Sequence, residues 1–200
     1  MDAKTQKAEL TRAAIVGAAL ELAGTEGLKS ISLQEVADRI GLSKSGVFSR
    51  VGSREALQRA VIEEFGRQFI ADVFLPAMPM PKGLPRLREI VRRWIMRTRD
   101  VESHTGCIFS AGAFELDDEE GELRDVLHGE VMRWRAALRR TVQQAIDAGH
   151  LRADTDPEQV VSEICGIAIT QVHDTRFLRD PHAAQRAEAT WQRLLQTYVA

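Results

Sequence analysis

Apolar residues recur every three or four positions along almost the whole chain, and no stretch sustains strict alternation with polar ones, so the pattern predicts helices throughout. A first helix runs from about Ala8, with Ile15, Ala19 and Leu22 on one side and Gly24 or Gly27 ending it. Two short helices follow, carrying Val36, Ala37 and Ile40, then Val47, Phe48 and Val51. After the break at Gly52-Ser53, a long helix from about Arg54 carries Leu57, Val61, Phe65 and Phe69 every four residues. Pro76, Pro79 and Pro81 end it and make the chain's one proline-rich linker.

Further helices come after the linker. Leu84 to about Val101 bears Leu87, Val91, Trp94, Ile95 and Thr98, and a short helix from Gly106 bears Cys107, Phe109, Ala113 and Phe114. A long helix running to about Ala148 puts Leu127, Val131, Trp134, Leu138 and Ala145 inward, with Gly149 as its stop. Asp156-Pro157-Glu158-Gln159 supplies an N-cap, a first-turn proline and a capping-box glutamine. Asp180-Pro181 repeats the first two signals for a last helix ending near Tyr198. The expected fold is all-α.

The most informative stretch is 32–51. Ser32 with Glu35 three residues on is a capping box, and Gly41 stands where a left-handed residue must end the helix it opens. Ser43 can cap the next helix, and Ala37 is small enough for two helices to cross closely. Two short helices joined through a three-residue turn with a glycine form a helix-turn-helix. The second leaves Lys44, Ser45, Ser49 and Arg50 outward, groups suited to phosphates and base edges. An ordinary helical hairpin has the same local signals; the N-terminal position and the helices that follow favour the DNA-binding reading.

Charge changes the picture slightly. The chain has 27 basic and 29 acidic residues, but residues 1–60 hold nine of the former against seven of the latter. The sign suits a head facing nucleic acid on an acidic body. Cys107 and Cys165 are too few and too far apart for a disulfide framework or a metal cluster, which fits a reducing cytosol. A leader pattern and apolar runs near the roughly 18 residues of a membrane span are both missing, so a cytoplasmic protein is expected. The acidic run 117–122 has no nearby His or Cys at ligand spacing and reads as a solvated helix start. No nucleophile–base pair, phosphate loop or metal set appears, so neither an enzyme nor a cofactor is expected.

The residues Ala23, Gly27, Ser32, Val36, Ala37, Gly41, Ser43, Gly46, Val47, Phe48 and Arg54-Glu55-Ala56-Leu57, within the stretch 13–57, resemble the tetracycline-repressor (TetR) family of bacterial transcriptional regulators. The stretches 105–115 and 148–152 also resemble the ligand-binding domain of one subgroup. The resemblance implies a helix-turn-helix DNA-binding domain over 1–53 and a helical ligand-binding and dimerisation domain over 54–200, with 54–75 as linking helix. Two departures stand out. Phe48 replaces the family's usual Tyr, which removes a phenol hydroxyl from any phosphate contact, and Val51 and Arg54 replace a Phe and a Lys.

The resemblance implies roles for single residues. Ser32, Lys44, Ser53 and Arg54 position the protein on phosphates, while Ser45, Ser49 and Arg50 read base edges. Gly46 permits close approach, Phe48 touches backbone or a thymine methyl, and Ser43 caps the recognition helix in their midst. A homodimer on a pseudo-palindromic duplex is implied, its interface drawn from Val161, Ile164, Ile167, Ala168, Val172, Trp191 and Leu195. Also implied is an effector pocket among Trp94, Thr98, Phe109, Phe114, Met132, Trp134 and Cys165, with His104, His128 and His173 as polar candidates. The plain alternative for each is ordinary core or surface, and for the pocket residues core is the commoner role. Cys107 is a redox switch only if exposed, and otherwise an inert buried thiol. The expected function is a sequence-specific repressor released by a small hydrophobic or aromatic ligand; the alternative is a helical adaptor or ligand-binding protein that has lost DNA binding.

Overall fold

The computed structural model describes residues 3–200. In chain order the helices are α1 (Ala3–Glu26), α2 (Leu33–Ile40), α3 (Lys44–Val51), α4 (Arg54–Phe69), α5 (Leu84–Arg97), α6 (Ser103–Thr105), α7 (Ile108–Glu115), α8 (Glu122–Asp147), α9 (Pro157–Arg176) and α10 (Ala183–Gln196). No strand forms among the described residues; one isolated antiparallel bridge pairs Leu151 with Val199. None of their helices is long and apolar enough to cross a membrane. The described residues divide into two compact units, one formed by those up to Arg67 with Cys107–Glu130, the other by Gln68–Gly106 with Val131–Ala200.

In the first unit the short helices form because their ends are chemically closed. Ser32 Oγ accepts from Glu35 N at 3.2 Å, covering one of the amides that a helix start leaves without an intrahelical acceptor. The expected capping box is only half made, because the Glu35 carboxylate accepts the Ser32 hydroxyl (2.7 Å). At the other end Gly41 takes φ 67°, and Leu42 N reaches back to Ala37 O at 2.9 Å. Ser43 caps α3 through Gly46 N at 3.1 Å, and Ser53 caps α4 through Ala56 N at the same distance. The inward side chains Ile15, Ala19, Leu22, Val36, Ala37, Val47, Leu57 and Val61 are all buried. Removing so much apolar surface from water stabilises helices too short to persist alone.

In the second unit α9 and α10 pack along each other and both touch α5. The seam is built by Val161, Ile164, Ala168, Trp191 and Leu195, all at most 7 % exposed. Asp156 caps α9 through Glu158 N at 2.9 Å as expected, but Gln159 does not close a capping box; its amide donates to Glu163 one turn on (2.9 Å). Two segments are wound as π-helix, Ile70–Phe74 and Thr98–Glu102. Each inserts a residue at a helix end, a device often found at functional positions.

Candidate functional site

The α3 surface presents the groups that the sequence singled out. Lys44, Ser45, Ser49 and Arg50 are exposed, and Lys44 and Arg50 make no hydrogen bond or ion pair with any described residue. Phe48 is 57 % exposed although apolar, which places a ring, not a hydroxyl, on this face. The three serines at 43, 45 and 49 are partly engaged: Ser43 Oγ lies 3.1 Å from Ser45 Oγ, and Ser49 donates to Gly46 O at 2.8 Å. Gly46 leaves room for the cap, since a Cβ there would stand 3.1 Å from Ser43 Oγ. The result is a short, firmly capped helix with two unpaired cations on its open side.

Arg54 departs from expectation. Its Nε donates to Ile31 O at 2.8 Å and its Nη2 donates to Lys29 O, so the guanidinium braces the turn before α2 while the residue stays exposed. Gln58 completes the brace from a buried position, donating to Leu28 O at 2.9 Å. Ser32 is half-buried and spent on capping, leaving less of it for a phosphate than expected.

Of the residues expected around an effector, the second unit brings two together. Trp94 and Trp134 meet edge to face with ring centroids 5.1 Å apart, and Phe69 stands edge-on to both, at 5.4 and 4.7 Å. Phe74 joins at 5.7 Å from Trp134. Thr98 is buried beside this group of elements and donates to Glu102 at 3.1 Å. The Arg97 guanidinium lies 5.8 Å from the Phe69 centroid, within reach of a cation–π attraction. Two buried polar atoms here have no partner among the described residues, the donor Trp134 Nε1 and the acceptor Gln171 Oε1. Such atoms are costly to leave unpaired.

Phe114 is 68 % and Met132 49 % exposed, so both face solvent. Phe109 packs in the first unit, edge-on to Phe65 at 4.8 Å. Cys165 is half-buried on α9, and burial pushes its thiol above the ordinary value, which disfavours thiolate. Cys107 is buried, as an inert thiol should be. His104, His128 and His173 are exposed. Phe69, Phe74, Arg97, Glu102 and Gln171 were missed. Aromatic residues at the end of a long helix read as generic core, and Arg97 with Glu102 reads as solvated charge.

Val161, Ile164, Ala168, Trp191 and Leu195 fill the protomer's own seam and have no side-chain surface left to offer; Ile167 and Val172 are half-buried. The open side of α9 is instead Ser162, Gly166, Ile169 and Thr170.

Residues 15–61 match the family model of bacterial regulatory proteins of the tetR family, and residues 83–191 match that of the tetracyclin repressor-like C-terminal domain. No curated protein sequence matches the chain. Among solved structures, a TetR transcriptional regulator from Chloroflexus aurantiacus superposes with a TM-score of 0.84 at 21 % identity, over 98 % of this chain and 100 % of that one. A TetR-family regulator from Cytophaga hutchinsonii follows at 0.81 and 17 %, over 97 % of each. AibR, solved with isovaleryl coenzyme A and operator DNA, aligns at 0.67 and 22 %, over 80 % of this chain and 85 % of its own. With both halves matched in order, and a capped helix-turn-helix leading the chain, this protein belongs to the TetR family of bacterial transcriptional regulators.

Proposed function

We propose that the protein is a cytoplasmic, sequence-specific repressor that binds a pseudo-palindromic operator as a homodimer and leaves it when a small hydrophobic or aromatic ligand binds. The observation that carries the reading is α3, whose Lys44 and Arg50 stand exposed and unpaired on a helix fixed by caps at both ends. Lys44 supplies a point charge for phosphate, and Arg50 a planar fork that matches the O6/N7 edge of guanine. Phe48 offers apolar contact to a thymine methyl. The dimer would use the open strip of α9, where Ile169 is 43 % exposed and Gly166 lets a second backbone come close.

The aromatic group of Phe69, Phe74, Trp94 and Trp134 supports the ligand class. It suits an apolar body, and Trp134 Nε1 suits one hydrogen-bond acceptor on it. The acyl group that AibR carries is of that broad kind. Release from DNA requires that the ligand bind the DNA-free conformation more tightly than the DNA-bound one.

The test is selection of bound sequences from a random duplex pool by the purified protein. A pseudo-palindrome whose affinity falls steeply with salt is expected. Recovery of no sequence at low salt by folded protein would turn the reading toward a helical adaptor.

A further inference from the structure

We propose that Glu115 is a positioning residue for DNA binding: from the end of α7, its carboxylate holds in place the turn that feeds the helix-turn-helix. The inference rests on the DNA-binding reading above. Residues 28–30 form a single 3-10 turn, entered from Gly27 at φ 97° with no side-chain cap of its own. Its first two amides are covered instead from 87 and 86 residues away: Leu28 N donates to Glu115 Oε2 at 2.7 Å, and Lys29 N to Glu115 Oε1 at 2.5 Å. One carboxylate thus accepts two N–H groups side by side, the arrangement in which charge-assisted bonds are strongest.

The rest of the turn is held just as tightly, and from a different helix. Its carbonyls accept from α4, through Gln58 to Leu28 O, and through Arg54 to Lys29 O and Ile31 O. Ion pairs Lys29–Glu119 and Arg59–Glu122 flank it, both exposed and therefore weak by comparison. Gly27 keeps the approach open: a Cβ there would lie 3.3 Å from both Glu115 oxygens. Ser32, the cap of α2, comes only two residues after the turn. A shift of α7 therefore acts on the amides of the turn, and the turn sets where α2 and α3 begin.

The placement gives this contact a consequence for regulation. Residues 107–130 lie within the span 83–191 that matches the C-terminal family model, yet they are compact with the N-terminal residues. An effector signal that moves α7 acts through Glu115 on the turn that precedes α2.

The experiment compares wild type with Glu115→Asp, Glu115→Gln and Glu115→Ala on the selected duplex. All measurements are made at a temperature where circular dichroism shows each variant folded. The expected order of affinity is wild type, then Asp and Gln, then Ala, with Ala weaker by about tenfold or more. The slope of log affinity against log salt is expected to be unchanged, because no phosphate contact is removed. The amide signals of Leu28 and Lys29 in a 15N-resolved spectrum are expected to move upfield in Gln and Ala as the carboxylate bond is lost. Equal affinity for all four proteins, or a loss that tracks thermal stability with no gradation, overturns the proposal. If wild type itself selects no duplex, the DNA-binding reading falls; unmoved Leu28 and Lys29 amides in Glu115→Gln would then dispose of the clamp as well. Should Glu115→Ala not fold, the Gln variant and its amide signals decide the matter.

Discussion

Arg97 Nε donates to Glu102 Oε1 across 3.2 Å, and both side chains are buried, Arg97 at 3 % and Glu102 at 0 % exposure. Five residues apart on a regular α-helix, they would point about 140° from each other. The π turn Thr98–Glu102 takes up that difference and brings the carboxylate under the guanidinium. Asp72, from the other π turn, pairs with the same guanidinium at a half-exposed position. Glu102→Ala is expected to cost about 3–5 kcal/mol, since it strips one partner from a buried charge. At about 2–4 °C per kcal/mol for a chain of this size, the melting temperature drops by roughly 6–20 °C. Asp72→Asn is expected to cost less than about 1 kcal/mol, because water already screens that pair. Thermal unfolding of the two variants checks this, and similar losses in both would contradict it.

These residues also mark where the sequence stops being legible. The caps at Ser32, Ser43, Ser53 and Asp156, and the stop at Gly41, were readable because donor and acceptor lie within five residues. Arg97 and Glu102 were not, since a charged residue in a helical run reads as solvated until its burial is known. Glu115 was out of reach for another reason: its partners are 86 and 87 residues away, and the acidic run just after it looked like a solvated helix start. The seam residues of α9 and α10 show a third limit. An apolar helix face has one pattern whether it is covered by its own chain or by a second copy, so Val161 and Trp191 could not be assigned from periodicity.

Tyr198 is the chain's only tyrosine, and its phenol donates to Glu163 Oε2 at 2.7 Å. Burial, and then the carboxylate at its hydroxyl, push its pKa up from 10 to about 12. A pKa raised in the folded state means that folding favours the protonated phenol. The associated stability is fully present below pH 10 and is lost as pH rises from 10 through about 12. Phenolate absorbance should therefore titrate late in the folded protein, and Glu163→Gln should bring it earlier. An unshifted midpoint in Glu163→Gln would show that the hydrogen bond is not a cause.

Gly83 enters α5 at φ 92°, where a Cβ would stand 2.7 Å from His150 Nδ1 and 3.2 Å from Gln144 O. The same nitrogen accepts from Leu84 N at 3.3 Å, capping the helix start. Gly83→Ala is expected to destabilise by about 1–3 kcal/mol through backbone strain and crowding together. Adding His150→Ala removes the nearer clash but neither the strain nor the Gln144 contact. The double variant should therefore recover part of the loss, which a double-mutant cycle by chemical denaturation measures. Strict additivity would mean that the ring yields freely and only the backbone resists.

Lys44 and Arg50 should separate affinity from specificity. Both are exposed cations on α3, but an ammonium reads charge alone, whereas a guanidinium can bond two acceptors of one base. Lys44→Ala is expected to weaken binding to the selected duplex and to random duplex alike, and to lower the salt slope by about 1. Arg50→Ala is expected to cost about 1–3 kcal/mol on the selected duplex and little on random sequence, with specificity relaxed at one position of each half-site. Fluorescence-anisotropy titrations on the two duplexes at several salt concentrations give all four numbers. An equal loss on both duplexes in Arg50→Ala would place Arg50 on phosphate, leaving base reading to the serines of α3 and to the shape of the duplex.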